Sequence, residues 1–161
     1  MTGVQTCALP IFRPRHTVCM SDDGVSKLVP ASPDLSAVLD RFAPKWYRGV
    51  DVGPGWFGIV VDLDEALARV DPDYQIMQVK SKFGGLCFYF APSESVPEPQ
   101  RAAVRERMNE LVAAAERRAA RTCEYSGAPG TLMIRDGFYA TVSDEVAAAN
   151  GFSPLPEYDD D

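Results

Sequence analysis

Gln78-Val79-Lys80-Ser81-Lys82-Phe83-Gly84-Gly85-Leu86-Cys87-Phe88-Tyr89 reads as two strands and the turn between them. Residues 74 to 80 and 86 to 90 are rich in Ile, Val, Phe and Tyr, which suit a pleated, half-buried surface. Phe83-Gly84-Gly85 supplies the turn, because glycine adopts positive φ without steric cost. The stretch predicts a β-hairpin, and the segments on either side of it predict helices.

Upstream, Ser32-Pro33 suits a helix start, and Leu35, Val38, Leu39 and Phe42 follow at helical spacing up to Pro44. Residues 45 to 55 read as a loop holding Trp46, Tyr47 and several glycines. A second helix runs from Pro54 or Trp56 to Val70, with Trp56, Ile59, Val60, Leu63, Leu67 and Val70 along one stripe; Asp71-Pro72 ends it. Downstream, a proline-bearing linker at 91 to 99 precedes the longest helix, Pro99 to Thr122, lined by Val104, Met108, Leu111, Ala115 and Ala119. Strands follow at 131 to 135 and 138 to 142. A short helix runs from Ser143 to Asn150, with Gly151 at its C′ position. The expected fold is α+β: a small single domain over residues 32 to 152. About three helices pack on the hairpin, followed by a short knuckle-like β-turn-helix segment. Residues 153 to 161 read as an acidic tail.

The start of the chain reads differently. Thr2 to Ile11, TGVQTCALPI, resembles the conceptual translation of a sequencing-library adapter. No basic stretch precedes its apolar residues, and Cys7 to Phe12 is too short for a signal-peptide core. Residues 1 to 19 are therefore expected to be a non-native leader, with Met20 as the start and 20 to 31 as a flexible polar leader. Setting 1 to 19 aside removes His16, the only histidine, and Cys7 and Cys19, leaving Cys87 and Cys123. It also removes Arg13 and Arg15, so the net charge moves from −7 to −9, with 14 basic against 23 acidic side chains. A chain without histidine lacks the commonest general base and metal ligand.

Composition narrows the class further. No apolar run approaches the roughly 18 residues of a membrane span, and two cysteines do not make a disulfide framework. A cytoplasmic location is the expectation. The acidic balance opposes bulk attraction to nucleic acid or anionic membranes. The glycines lack the spacing and following helix of a Walker or dinucleotide fingerprint.

Three groups of residues carry candidate chemistry. In the hairpin, Lys80 and Lys82 alternate on one face before the glycine turn. Their ammonium groups, with the amides of Phe83, Gly84 and Gly85, are candidates to hold a phosphate, and Tyr89 to stack on a base. The plainer alternative is a tight hairpin with solvated lysines guarding an edge. Toward the carboxyl end, Cys123-Glu124-Tyr125-Ser126 and the later Ser143 and Val146 have the layout of a small zinc knuckle. A structural zinc needs four Cys or His ligands. Of Cys123, Ser126, Ser143 and Val146, only Cys123 binds zinc well, so the expectation is a metal-free turn kept in shape by packing. On the second helix, Asp62, Asp64 and Glu65 are candidate acid–base or cation-binding carboxylates. Cys87 sits in an apolar strand and reads as a small core residue.

Gly55-Trp56-Phe57, the hairpin, and Ala120-Arg121-Thr122-Cys123-Glu124 with Gly127-Ala128-Pro129-Gly130 occur in that order. Together they resemble an uncharacterised family of small bacterial and phage proteins. Its members read GDGWF, QVKEKFGGLRFY and ARTCEVCGAPG, with a later TLC and a histidine. The resemblance spans residues 32 to 152 and implies an α+β domain, often with a carboxyl-terminal zinc knuckle. It carries no activity with it. This chain departs at three of the four ligand positions.

These readings lead to an expected non-enzymatic binding or accessory protein of bacterial or phage origin, without a cofactor, that acts on a protein partner. Trp46, Tyr47, Trp56, Phe57, Phe138 and Tyr139 are its candidate anchor aromatics. The alternative is a nucleic-acid or phosphate-ligand binder using Lys80, Lys82 and the helix arginines Arg101, Arg105, Arg117, Arg118 and Arg121. A third reading is a cation-assisted hydrolase built on Asp62.

Overall fold

The computed structural model describes residues 32–156. The leader segments at 1–19 and 20–31, and the acidic tail from 157 onward, lie outside the described residues.

The described chain is a mixed α+β domain of four helices and two three-stranded sheets. Helix α1, Ser36–Asp40, is shorter than its apolar spacing predicts. The Asp34 carboxylate accepts from the Ser36 backbone N–H at 2.8 Å and from its hydroxyl, fixing where the helix begins. It ends early because Phe42 turns into a parallel bridge with Ile76, and Ala43 N–H donates to the Ile76 carbonyl. The loop that follows leads to the two-residue strand β1, Val50–Asp51. A single 3-10 turn, Pro54–Trp56, then runs into α2, Phe57–Val70.

The hairpin is β2, Gln75–Lys82, and β3, Gly85–Ala91. Only Phe83 and Gly84 lie between the strands, both at positive φ (51° and 74°). That is the two-residue turn whose twist matches a right-handed hairpin. β1 adds in parallel to β2, with Val50 beside Val79 and Asp51 beside Lys80. Antiparallel pairing sets Val79 opposite Phe88 and Ile76 opposite Phe90 on the inner face. The same register sends Gln78, Tyr89, Lys80 and Cys87 to the outer face. α3, Glu98–Ala119, crosses α2 and borders β3. Val38, Trp56, Ile59, Val60, Leu67, Tyr74, Ile76, Val79 and Met108 are buried between these elements as the main core.

The second sheet holds β4, Thr131–Arg135, and β5, Phe138–Val142, paired without a slip. Helix α4, Asp144–Asn150, follows, and the Ser143 hydroxyl accepts from Val146 N–H as its N-cap. Ser153–Pro154, which the sequence assigns to the acidic tail, pairs with β4 as strand β6. Cys123, Met133, Ala140, Val142 and Ala147 form a second, smaller core.

The two cores are clasped together by Glu124. Its buried carboxyl group accepts from Gly53 N–H and from the Ser81 hydroxyl, each at 3.0 Å. Its carbonyl accepts from Gly55 N–H at 2.7 Å, while its own N–H donates to the Thr141 carbonyl. Beside it, the buried Trp56 indole donates to the Thr122 carbonyl at 2.7 Å. Gly55 lies so close to this segment that a Cβ there would run into the Cys123 carbonyl oxygen and the Gly127 nitrogen, both backbone atoms.

A paired substitution tests the clasp. Gly55→Ala forces backbone apart and is expected to cost about 2–3 kcal/mol of unfolding free energy in urea. Gly58→Ala on α2, whose added Cβ has no neighbour nearer than Pro33 Cγ at 4.0 Å, is expected to be neutral or to stabilise by up to about 1 kcal/mol. Equal effects of the two changes would contradict close docking at Gly55.

Candidate functional site

The hairpin's outer face separates the sequence-predicted site residues into two groups. Lys82 and Phe83 stand at the exposed tip, the Lys82 ammonium 5.2 Å from the centre of the Phe83 ring. Phe83 is 72% exposed and meets Tyr139 edge-on at 6.2 Å. Gly84 is buried beneath the second sheet. Its carbonyl accepts from the Thr141 hydroxyl at 2.7 Å, and a Cβ there would strike Leu132. Gly85 pairs with Lys82 as the first residue of β3. The glycine turn is thus a docking point for the carboxyl-terminal segment.

Lys80 and Tyr89 lie further down the face, where a cleft of about 410 Å³ opens. Trp46 from the 43–49 loop, Gln78 and Lys80 from β2, Tyr89 from β3, and Arg105 and Asn109 from α3 line it. Met77, Phe88 and Phe90 complete the lining. Trp46 is 49% and Tyr89 47% exposed. The Lys80 ammonium lies 5.8 Å from the centre of the Tyr89 ring, within cation–π range. None of the nine lining residues is acidic. Among the described residues the ion pairs involve Arg41, Arg48, Arg101 and Arg118, so Lys80 and Arg105 have no carboxylate partner there. Asp51 sits in register beside Lys80 but forms no ion pair with it and does not line the cleft.

Backbone geometry holds the cleft's rings in place. Trp46 N–H donates to the Ala43 carbonyl at 3.0 Å, and Ala43 is itself bonded to Ile76 on β2. Tyr89 is paired in register with Gln78. Charge on the neighbouring Cys87 sulfur, and then burial, push the Tyr89 phenol above its ordinary value, so the ring is neutral at physiological pH. Cys87 is half-buried and stands opposite Lys80 on this outer face. That corrects its sequence assignment to the core: its strand is apolar, but only alternate positions point inward.

The other arginines of α3 serve the fold or lie outside the cleft. Arg118 pairs with Asp62 of α2 at 2.5 Å, and Arg101 pairs with Glu98. Arg117 and Arg121 are exposed and absent from the cleft lining. The carboxylates of α2 do not converge. Asp62 faces Arg118, Glu65 is exposed, and Asp64 is buried. Asp64 accepts from the Tyr74 hydroxyl at 2.5 Å and pairs with Arg41 at 2.8 Å. Burial, and then this bond to Asp64, push the Tyr74 phenol upward, as a structural buried pair requires.

Cys123, Ser126 and Ser143 meet at one point, with Val146 beside them. Ser126 N–H donates to the Cys123 sulfur at 3.4 Å, and Val146 N–H to the Ser143 hydroxyl. Burial raises the Cys123 thiol. Hydrogen bonds from the Ser126 hydroxyl and from the backbone N–H groups of Ser126, Ser143 and Tyr125 outweigh it and hold the thiol below its ordinary value. The described residues contain no cluster of three or more His, Cys, Asp or Glu side chains able to hold a metal. None of their helices is long and apolar enough to cross a membrane.

Comparison with known proteins finds no matching family model, no significantly similar curated protein and no significantly similar solved structure.

A chelator tests the knuckle-shaped turn. Excess EDTA is expected to leave the Tm unchanged. A structural zinc contributes on the order of 10 kcal/mol to such a turn, so a marked fall in Tm would show that metal holds it.

Proposed function

We propose that this chain is a non-enzymatic binding protein that recognises an anionic ligand in the cleft between the 43–49 loop, the hairpin and α3. One observation carries the reading. Lys80 and Arg105, from elements far apart in sequence, converge on a cleft with no acidic lining and without carboxylate partners among the described residues. Hydrogen bonds to charged groups contribute about 1.5–3 kcal/mol each, and a half-enclosed cleft weakens solvent screening. The reading moves the phosphate site from the glycine turn to the strand below it: Lys80 and Tyr89 stay in the site, whereas Lys82, Phe83, Gly84 and Gly85 leave it.

A protein partner anchored by aromatics has weaker support. Trp56 is fully buried, and of the exposed rings Trp46 and Tyr47 share the 43–49 loop while Phe138 lies apart on β5. A partner presenting a phosphorylated or carboxylate side chain to the cleft remains within the proposal.

Ribose 5-phosphate titrated calorimetrically into the full chain tests this. Lys80→Ala and Arg105→Ala are each expected to weaken binding about tenfold, near 1.4 kcal/mol. Lys82→Ala should stay within about twofold, because Lys82 stands at the hairpin tip outside the cleft lining and solvent screens a charge at that remove. Binding should also weaken as salt rises. Absence of binding at about 50 mM salt, or an equal loss on Lys82→Ala, would overturn the proposal.

A further inference from the structure

Resting on that anion-binding reading, we infer that the cleft takes a nucleoside phosphate, with the base against Trp46 and Tyr89 and the phosphate at Lys80 and Arg105. The cleft's volume of about 410 Å³ falls within the roughly 300–1,000 Å³ of small-molecule sites. A site for a bare anion needs donors alone. This one adds two half-exposed aromatic rings, Trp46 and Tyr89, whose flat faces suit a nucleobase of any sequence. It also adds two amides, Gln78 and Asn109. Each amide carries both a donor and an acceptor, the mixed pattern that the edge of a base presents.

The arrangement is built in advance. Gln78 and Tyr89 are register partners across β2 and β3. Arg105 and Asn109 are one helical turn apart on α3 and share its face. Trp46 sits on a loop tied to β2 through Ala43 and Ile76. The Lys80 ammonium lies over the Tyr89 ring, so cation and aromatic surface are held within one short span, as a base joined to its phosphate requires. The chemistry is shared by a free mononucleotide and by one residue of a single strand. The chain's net charge of −7 favours the mononucleotide, because a longer strand meets a repelling surface.

The test titrates the full chain with AMP, GMP, CMP and UMP, and separately with ribose 5-phosphate, adenosine and an oligothymidylate about eight nucleotides long. Calorimetry gives affinities and tryptophan emission gives the site. Trp46 and Trp56 are the two tryptophans, and Trp56 is fully buried, so quenching with an intact fold reports Trp46. At least one mononucleotide is expected to bind ten or more times tighter than ribose 5-phosphate and to quench Trp46. Trp46→Ala should abolish that preference while leaving ribose 5-phosphate binding within about threefold, and Trp46→Phe should keep most of it. An oligothymidylate no tighter than the mononucleotide identifies the free ligand. One that is tighter, with a steep salt dependence, identifies the strand. Ribose 5-phosphate binding as tightly as every nucleotide would overturn the nucleobase assignment and leave the anion site standing. No binding of any phosphate would overturn both.

Discussion

Glu124 is the constraint on which the rest of the structure depends. Its carboxyl group lies inside the protein and takes hydrogen bonds from the Gly53 amide and the Ser81 hydroxyl. Its backbone is bonded to Gly55 on one side and Thr141 on the other. One residue thus joins the turn that starts α2, the second strand of the first sheet, and the carboxyl-terminal segment. Leaving a buried polar group without its hydrogen-bond partners costs about 1–3 kcal/mol, so each element holds the others in register. The Trp56 indole, bonded to Thr122, anchors the same junction from the main core. With the segment held there, Thr141 and Leu132 cover the Gly84 turn, and the open chemistry of the hairpin is confined to the face carrying Lys80 and Tyr89.

Much of this fold was legible in the sequence, and the parts that were not share a cause. The hairpin, α2, α3, β4, β5 and α4 carry periodicity or explicit boundary signals, such as Asp71-Pro72 at the end of α2 and Ser143 at the start of α4. The short strands β1 and β6 are two residues each. Two residues hold no alternation to read, and both strands exist only because a distant partner strand offers them hydrogen bonds. α1 is short for the same reason. Its apolar spacing runs on to Phe42, but the bridge from Phe42 to Ile76 takes the backbone away from helical bonding.

The candidate site was legible only in part. Lys80 and Tyr89 announce themselves by alternation along the hairpin, but alternation cannot say which part of a strand a later segment will cover. Gly84 looked like a phosphate cradle because glycine permits close approach. The structure shows that a neighbouring sheet makes the approach. Asn109 carried no signal of its own. The pair with Arg105 is visible in retrospect as two polar residues four apart, flanking the buried Met108. The cysteine turn shows the converse: the Cys123 sulfur takes bonds from Ser126 and from Ser143, the latter distant in sequence but grouped with it by the knuckle-like layout, while Val146 N–H is bonded to Ser143 as part of the α4 cap.

The central claim is that the hairpin's anion site is the cleft and not the glycine turn. Amide chemical-shift mapping of the isotopically labelled full chain, titrated with inorganic phosphate, tests it most directly. The account predicts that the largest shifts fall on residues 46, 78 to 80, 89, 105 and 109, with the amides of Phe83, Gly84 and Gly85 unmoved. Shifts centred on Phe83, Gly84 and Gly85, with Lys80 and Arg105 silent, would contradict it.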